Sequence, residues 1–290
     1  MSDKAVIGVD LGGTNVRVGN VQNNRLIRHF SRAISSNEAE NIVIQEIFAS
    51  IDLVFDDDVA GIGIGVPSVV DVEKGIVYTV ENIPSWKEVY LKDQLESQYG
   101  VPAYINNDAN CFALGESYFG KGRGFKDIVA LTIGTGMGAG IIINNKLYNG
   151  INCGAGEFGN ILYKDHNLEY YCSGQLFLRE CGVGGDVICE RAEKGDRDAL
   201  ALLEQLGSDL GNTIQTILYA LDPEIIILGG SVSKAFPFFE KSMRENMNSF
   251  DYQHVLKRLV IERSEQENIP ILGAAALYFD AQRIDIKENL

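Results

Sequence analysis

The chain has no long apolar run, no paired-cysteine motif, few prolines and a deficit of positive charge, and each shortage closes off a class of protein. Nothing approaches the roughly 18 apolar residues of a membrane span. No charged segment, apolar core and small-residue cleavage site opens the sequence, so a cytoplasmic protein is expected. The five cysteines, Cys111, Cys153, Cys172, Cys181 and Cys189, are odd in number and lack any C-x-x-C pair. That pattern implies neither a disulfide framework nor a zinc knuckle and leaves buried free thiols as the default. Lys and Arg number 25 against 40 Asp and Glu, a formal charge of −15. Nucleic acid and anionic membrane would both need a basic face, so neither is an expected partner. A phosphorylated ligand would have to be held by backbone donors and a divalent cation.

What is present is the composition of a folded protein: 46% of residues are apolar and no low-complexity tract or long linker interrupts the chain. A length of 290 residues is long for one core and suggests two domains. From Ala5 to Phe30 the apolar alternation predicts three strands broken at Gly12-Gly13 and Asn23-Asn24. A helix is predicted over 37–55 and a strand over VAGIGIGVP. LKDQLESQYG reads as a helix closed by Gly100, and YINNDAN as a strand ending at a corner before the helix NCFALGESYFG. The pattern then restarts. DIVALTIGTGMGAGIIINNKLYNG is again strand, glycine turn, strand, with a second Asn-Asn turn at Asn144-Asn145. Residues 199–221 read as a helix with Leu202, Leu206, Leu210, Ile214, Ile217 and Leu221 on one face, followed by the strand EIIILGG. Two lobes that each open this way suggest a duplicated α/β unit with a cleft between them and a boundary in the Tyr118 to Lys126 segment.

The segment VIGVDLGGTNVRVG runs a strand through Asp10 into Gly12, Gly13 and Thr14. Glycines let backbone N–H groups approach phosphate oxygens, Asp10 can hold a Mg²⁺ shell, and Thr14 adds a hydroxyl, a set suited to triphosphate chemistry. It is neither a G-x-x-x-x-G-K-[ST] loop nor a G-x-G-x-x-G opening a helix, and an ordinary hairpin with a glycine turn is the alternative reading. Two further glycine corners, Gly134-Thr135-Gly136 and Gly229-Gly230-Ser231, recur in the second half. Each alone reads equally as a tight turn; together they suit phosphates gripped from both sides with an adenosine nearby. Asp108, at the N-N-D-A-N corner, is the base candidate, with Asn107 beside it to bond a neighbouring hydroxyl; a helix N-cap is the competing role for Asp108.

These stretches resemble the ROK family of sugar kinases over essentially the whole chain. The carriers are VIGVDLGGTNVRVG, GIGIGVPSVVDVEKGIV, NIPSW, INNDANCFALGE, LTIGTGMGAGIIINNKLYNGINCGAGEFGN and IIILGGSV, in that order. The resemblance implies a two-lobed ribonuclease H-like fold of the actin and hexokinase type, with an N-terminal lobe over 1–120, a larger lobe over 121–272, and a helix over about 273–290 packing back on the first. It implies ATP and Mg²⁺ as cofactors, Asp108 as general base and Asp10 holding Mg²⁺ through water. Asn82, Asn107, Glu157 and Glu180 would meet sugar hydroxyls. Gly12, Gly13, Thr14, Gly134, Thr135, Gly136, Gly229, Gly230 and Ser231 would serve the nucleotide, and a homodimer is the implied assembly. Family repressors carry a winged helix-turn-helix ahead of the kinase fold, whereas here the first phosphate strand starts within a few residues, so DNA binding is not expected.

The chain departs from the family pattern in its sugar-facing loops. Ser68 stands where a glycine usually follows the proline, adding a hydroxyl and a β-carbon beside the sugar, and Asn160 where a histidine normally binds a structural zinc and touches the sugar, so both join the expected sugar-binding residues. Tyr171, Ser173 and Leu178 occupy the positions of the three zinc cysteines. No structural zinc is therefore expected, and the pocket's preferred sugar is open to change. The expected activity is glucokinase-like transfer of the γ-phosphoryl of ATP to a hexose hydroxyl. The alternatives are a kinase for N-acetylmannosamine or N-acetylglucosamine, and a non-catalytic sugar sensor.

Overall fold

The computed structural model describes residues 4–288, with side chains to residue 282. The chain opens with β1 (Ala5–Leu11), β2 (Asn15–Gln22) and β3 (Arg25–Ala33), then α1 (Glu40–Ile51) and β4 (Val59–Val66). A small antiparallel sheet follows, made of β5 (Val70–Asp71), β6 (Ile76–Tyr78) and β7 (Glu88–Tyr90). The helix α2 (Leu91–Tyr99), closed by Gly100 in the left-handed conformation, leads to β8 (Ala103–Asn107) and α3 (Asp108–Phe119). The main strands pair in the order β3-β2-β1-β4-β8, antiparallel from β3 to β1 and parallel from β1 to β8. Asn23 and Asn24 both take positive φ (50° and 62°), as a two-residue hairpin turn requires.

The second half runs β9 (Ile128–Ile133), β10 (Met137–Ile143) and β11 (Lys146–Leu147), then a 3-10 turn at Phe158–Asn160. A hairpin of β12 (Leu162–Tyr163) and β13 (His166–Asn167) precedes α4 (Leu168–Cys172), α5 (Gly174–Cys181), α6 (Gly185–Glu193) and α7 (Arg197–Leu221). The strand β14 (Ile225–Gly229) is followed by a second 3-10 turn at Val232–Ala235, α8 (Phe236–Met247), α9 (Gln253–Leu256), β15 (Val260–Arg263) and α10 (Ile269–Glu288). The sheet order is β11-β10-β9-β14-β15, with β14 parallel to both its neighbours. The strand order of the first sheet is thus repeated, down to an Asn-Asn turn at Asn144 and Asn145 with φ of 52° and 63°. The duplicated α/β fold read from the sequence is the fold observed.

The chain separates into two compact units: Met1–Gly124 with Gly140–Ala155 and Gln266–Leu290, and Phe125–Ala139 with Gly156–Glu265. The C-terminal helix starts at Ile269, earlier than the expected 273, and residues 289 and 290 lie outside the described part.

In the first unit, Ile7, Val9 and Leu11 of β1 and Ile62, Ile64 and Val66 of β4 join Ile44, Ile47 and Ile51 of α1 in one buried core. Alternate residues point to the opposite face, and there both strands carry glycine: Gly8 on β1, and Gly61, Gly63 and Gly65 on β4. A methyl group on Gly8 would collide with the carbonyl of Ile271, one on Gly63 with that of Ala274, and one on Gly65 would sit 3.0 Å from Cys111 Sγ. The alternating glycines therefore form a groove in which α10 and α3 lie directly on the strands. This backbone-to-backbone packing brings the start of α3 against the carboxyl end of the sheet, where Asp10 ends the same face of β1.

In the second unit, α7 packs on α8. Leu206, Leu210, Ile214 and Ile217 are buried as the periodicity predicts, while Leu203 and Leu218 are buried in place of Leu202 and Leu221. The same helix buries a carboxylate, Asp209.

Candidate active site

The parallel strands β1, β4 and β8 end side by side, with Asp10 opposite Gly65 and Gly65 opposite Asn106. Polar groups on the loops beyond such strand ends are the usual ligand position in α/β sheets. Asp108 is the first residue of α3, where a negative charge is favoured by the helix dipole. The N-cap is Asn107, whose Oδ1 accepts the Ala109 N–H at 2.8 Å. The competing role for Asp108 is thus filled by its neighbour, although Asp108 Oδ1 also takes the Ala109 N–H at 2.9 Å. Asn107 Nδ2 donates to Ser68 O at 3.3 Å, tying the helix start to the loop after β4. The carboxylates of Asp108 and Asp10 both act on the buried Cys111 thiol. Burial first, and then these two charges, hold that thiol well above its ordinary range, so it remains protonated and inert.

Asp10 is paired with Arg17, its register partner across the β1–β2 hairpin. Arg17 Nε donates to Asp10 Oδ2 at 2.6 Å, and the second guanidinium contact falls on the same oxygen. Among the described residues Oδ1 takes no hydrogen bond. Burial raises the Asp10 carboxyl above its ordinary value, and the Arg17 charge and hydrogen bond pull it part of the way back. At the hairpin turn, the N–H groups of Gly13 and Thr14 have no backbone partner among the described residues. Gly13 packs so closely on Asn82 that a methyl group would stand 2.9 Å from its Cγ, which places this asparagine at the turn. The Ser68 hydroxyl is turned to the backbone carbonyls of Tyr78 and Thr79 (3.1 Å to the latter), fastening the small sheet to the loop.

In the second unit, Gly229 lies opposite Thr132 where β14 and β9 end together, so the corners Gly134-Thr135-Gly136 and Gly229-Gly230-Ser231 are neighbours. Gly230 has φ of 82° and packs on the Ile133 backbone, a position closed to any side chain. Gly174, at the start of α5, donates its N–H to Gly134 O at 2.7 Å. The N–H groups of Thr135 and Gly136 have no backbone partner among the described residues. The Met137 N–H donates to Glu169 Oε2 at 2.8 Å, and Glu169 Oε1 accepts from Gln175 Nε2 at 2.8 Å. Glu157 and Asn160 bracket the first 3-10 turn and share a hydrogen bond of 3.0 Å from Asn160 Nδ2 to Glu157 Oε2. Glu180 lies near the end of α5, exposed and ion-paired with Arg179 at 2.9 Å.

Sequence reasoning missed Arg17, Glu169 and Gly174. Counting outward from the Gly12-Gly13 turn would have set Arg17 against Asp10, whereas no local signal points Glu169 at the Met137 N–H, 32 residues away.

The model of the ROK family matches residues 6–281. The chain belongs to the ROK family. Among ROK relatives it is 33% identical to a glucokinase of Thermotoga maritima, over 94% of this chain and 96% of that protein. It is 31% identical to the xylose repressor of Bacillus subtilis over 76% of this chain, a match spanning 61% of the repressor. Among solved ROK structures it is similar to a glucokinase from Streptomyces griseus in complex with glucose and AMPPNP, with a TM-score of 0.79, 28% identity and coverage of 94% of this chain and 98% of that one. Among the described residues no helix is long and apolar enough to cross a membrane.

Proposed function

We propose that this ROK protein is an ATP-dependent hexose kinase that transfers the γ-phosphoryl group to a sugar hydroxyl, with Asp108 as the general base. The observation that carries the reading is the corner at the carboxyl ends of β1, β4 and β8, where Gly65 has Asp10 as its register partner and the Cα of Asp108 3.5 Å from the place of a β-carbon, and where Asn107 caps the helix start. The similarity to glucokinases, one of them solved with glucose and AMPPNP, supports the same chemistry.

Phosphoryl transfer asks a protein mainly for positioning and charge stabilisation. Asp108 accepts the proton of the attacking hydroxyl. Asn107, with one amide hydrogen given to Ser68 O, keeps the other for an adjacent sugar hydroxyl. Asn82, Glu157, Asn160 and Glu180 bond the remaining hydroxyls, and Ser68 shapes the loop through its bonds to the Tyr78 and Thr79 carbonyls. The unpartnered N–H groups of Gly13, Thr14, Thr135 and Gly136, with the Thr14, Thr135 and Ser231 hydroxyls, suit phosphate oxygens, and Gly229 and Gly230 leave room for the nucleoside. The donor set fits a magnesium-bound nucleotide: Mg²⁺ neutralises phosphate charge when bound, and the open Oδ1 of Asp10 would hold it through water. The acceptor is glucose or a close hexose, and the working form is a homodimer.

The deciding experiment is ADP release with Mg-ATP against glucose, fructose, mannose, allose, N-acetylglucosamine and N-acetylmannosamine. Turnover on one of them is expected. Sugar binding without turnover on any would replace the kinase by a sensor.

Asp10→Asn separates function from stability. The buried carboxyl has a raised pKa, so its contribution to stability is complete below the ordinary carboxylate range and is lost as pH rises through the folded-state value. The variant is expected to lack that loss, matching or exceeding the parent in urea midpoint at pH 7. Its apparent Mg²⁺ affinity should fall by roughly 10- to 100-fold. A variant that is markedly less stable at pH 7, or has unchanged Mg²⁺ dependence, would contradict this account of Asp10.

A further inference from the structure

The segment 160–180 is where the family resemblance implies a structural zinc, and the residues present do not fit one. Asn160, Tyr171, Ser173 and Leu178 stand at the ligand positions. Cys172 is buried with Sγ 3.5 Å from Thr213 Oγ1, and His166 is stacked on Tyr170 with ring centroids 4.1 Å apart. Among the described residues no three His, Cys, Asp or Glu side chains gather as a metal site would require. A different kind of cross-link holds the segment.

Its centre is Asp209 of α7, whose side chain is 2% exposed. A carboxylate that deep must have its oxygens paired. Oδ1 accepts from Lys164 Nζ at 2.6 Å and from Tyr163 OH at 2.8 Å, and Oδ2 accepts from Gln205 Nε2 at 2.9 Å. Tyr163 OH in turn accepts from Asn212 Nδ2 at 2.9 Å. The Lys164 ammonium also lies over the rings of Tyr163 and Tyr171, 5.0 and 4.6 Å from their centroids. Arg179 of α5 closes the far side. Its guanidinium sits 3.7 Å above the Tyr170 ring and donates to Tyr170 O at 2.8 Å.

The backbone supplies an independent observation. Lys164 is the first residue of the two-residue turn between β12 and β13 and has φ of 52°. Such positions favour glycine or asparagine, since a β-carbon is strained there. A lysine accepts that strain where its side chain is in use, and this one reaches the only acidic side chain buried in α7. The turn lies just after the Glu157–Asn160 pair and just before α4, which carries Glu169 and through it the Met137 N–H.

We propose that Asp209 and Lys164 are positioning residues, the two halves of a metal-free clasp that anchors the β12–β13 hairpin to α7 and so holds the Glu157–Asn160 corner for the sugar. The kinetic readout rests on the sugar-kinase reading, and the exchange readout does not.

Lys164→Gly is the informative variant, because it relieves the turn while removing the clasp. If Lys164 were only a turn residue, the variant would protect the segment as well as the parent or better. The clasp predicts faster amide hydrogen exchange across 161–172 with the centre of α7 unchanged. It also predicts a sugar KM raised by roughly tenfold or more with kcat within about threefold, since displaced binding groups cost affinity steeply. Asp209→Asn should reproduce both effects, and Lys164→Gly carries the test alone if that variant does not fold. The parent enzyme, dialysed against EDTA and returned to Mg²⁺, should keep its activity and contain no stoichiometric zinc. Unchanged exchange in Lys164→Gly, or one zinc per chain whose removal loosens 161–172, would overturn the clasp. Absence of turnover on every sugar would remove the kinase reading and leave the exchange result to decide the clasp.

Discussion

Asp108→Asn lowers kcat by roughly 10²- to 10⁴-fold, the range in which removal of a positioned general base falls. Nucleotide binding is expected to be unchanged, because the glycine corners offer backbone donors that the substitution leaves in place. The fold should survive. Asparagine keeps an oxygen for the Ala109 N–H, and the N-cap bond at the head of α3 belongs to Asn107. Steady-state ADP release together with a nucleotide titration checks both halves of the expectation. Near-normal kcat in a folded variant would move the proton acceptor elsewhere. Asn107→Ala has the complementary signature: loss of a cap worth about 1 kcal/mol, with a smaller fall in turnover as the Asp108 backbone loses its tether to the Ser68 loop.

The largest expected effect on stability lies far from any reacting atom, at Gly63 in the middle of β4. A β-carbon there would overlap the Ala274 carbonyl, and neither partner can rotate away because both are backbone. The groove is reinforced on both sides: Gly8 meets the Ile271 carbonyl, and Gly273 of α10 meets the Cys111 carbonyl of α3. Seating a valine at position 63 would lift α10 off the sheet. A cost above about 4 kcal/mol is expected, the range reserved for severe core disruption, with Tm lowered by roughly 10 °C or more. Gly154→Ala is the control, since nothing lies within 4 Å of the added carbon; it should unfold within about 0.5 kcal/mol of the parent. Equal midpoints for the two variants would mean that the close packing of α10 contributes little.

Much of this architecture was legible because its signals are local. The Asn-Asn turns at 23–24 and 144–145, the glycine stop at Gly100 and the strand-to-helix corner at Asp108 each depend on a few adjacent residues, and each is found where the sequence places it. The alternating glycines of GIGIGV were legible as a strand, while their purpose was not. Gly61 meets the Tyr278 ring and Gly63 the Ala274 carbonyl, both on a helix some 200 residues later in the chain, while Gly65 meets Cys111 of α3, and no local pattern announces a groove. Ser68 reads from sequence as a hydroxyl beside the sugar, and only the fold shows that the same hydroxyl also donates to carbonyls of the small sheet. Asp209 would be placed on the wet side of a helix by its residue type, and only the arrival of Lys164, Tyr163 and Gln205 makes its burial possible.

By itself the sequence determined the duplicated strand-turn-strand frame, the order of the glycine corners and the corner residue proposed as the base, because periodicity, turn chemistry and chain order act within a few residues. The tertiary structure alone decided that Arg17 restrains Asp10, that glycine on alternate strand positions seats α10, that Glu169 holds the Met137 N–H, and that a buried carboxylate grips the segment where a metal was implied. Each of these depends on charge pairing, excluded volume or desolvation between groups that meet only after the chain has folded.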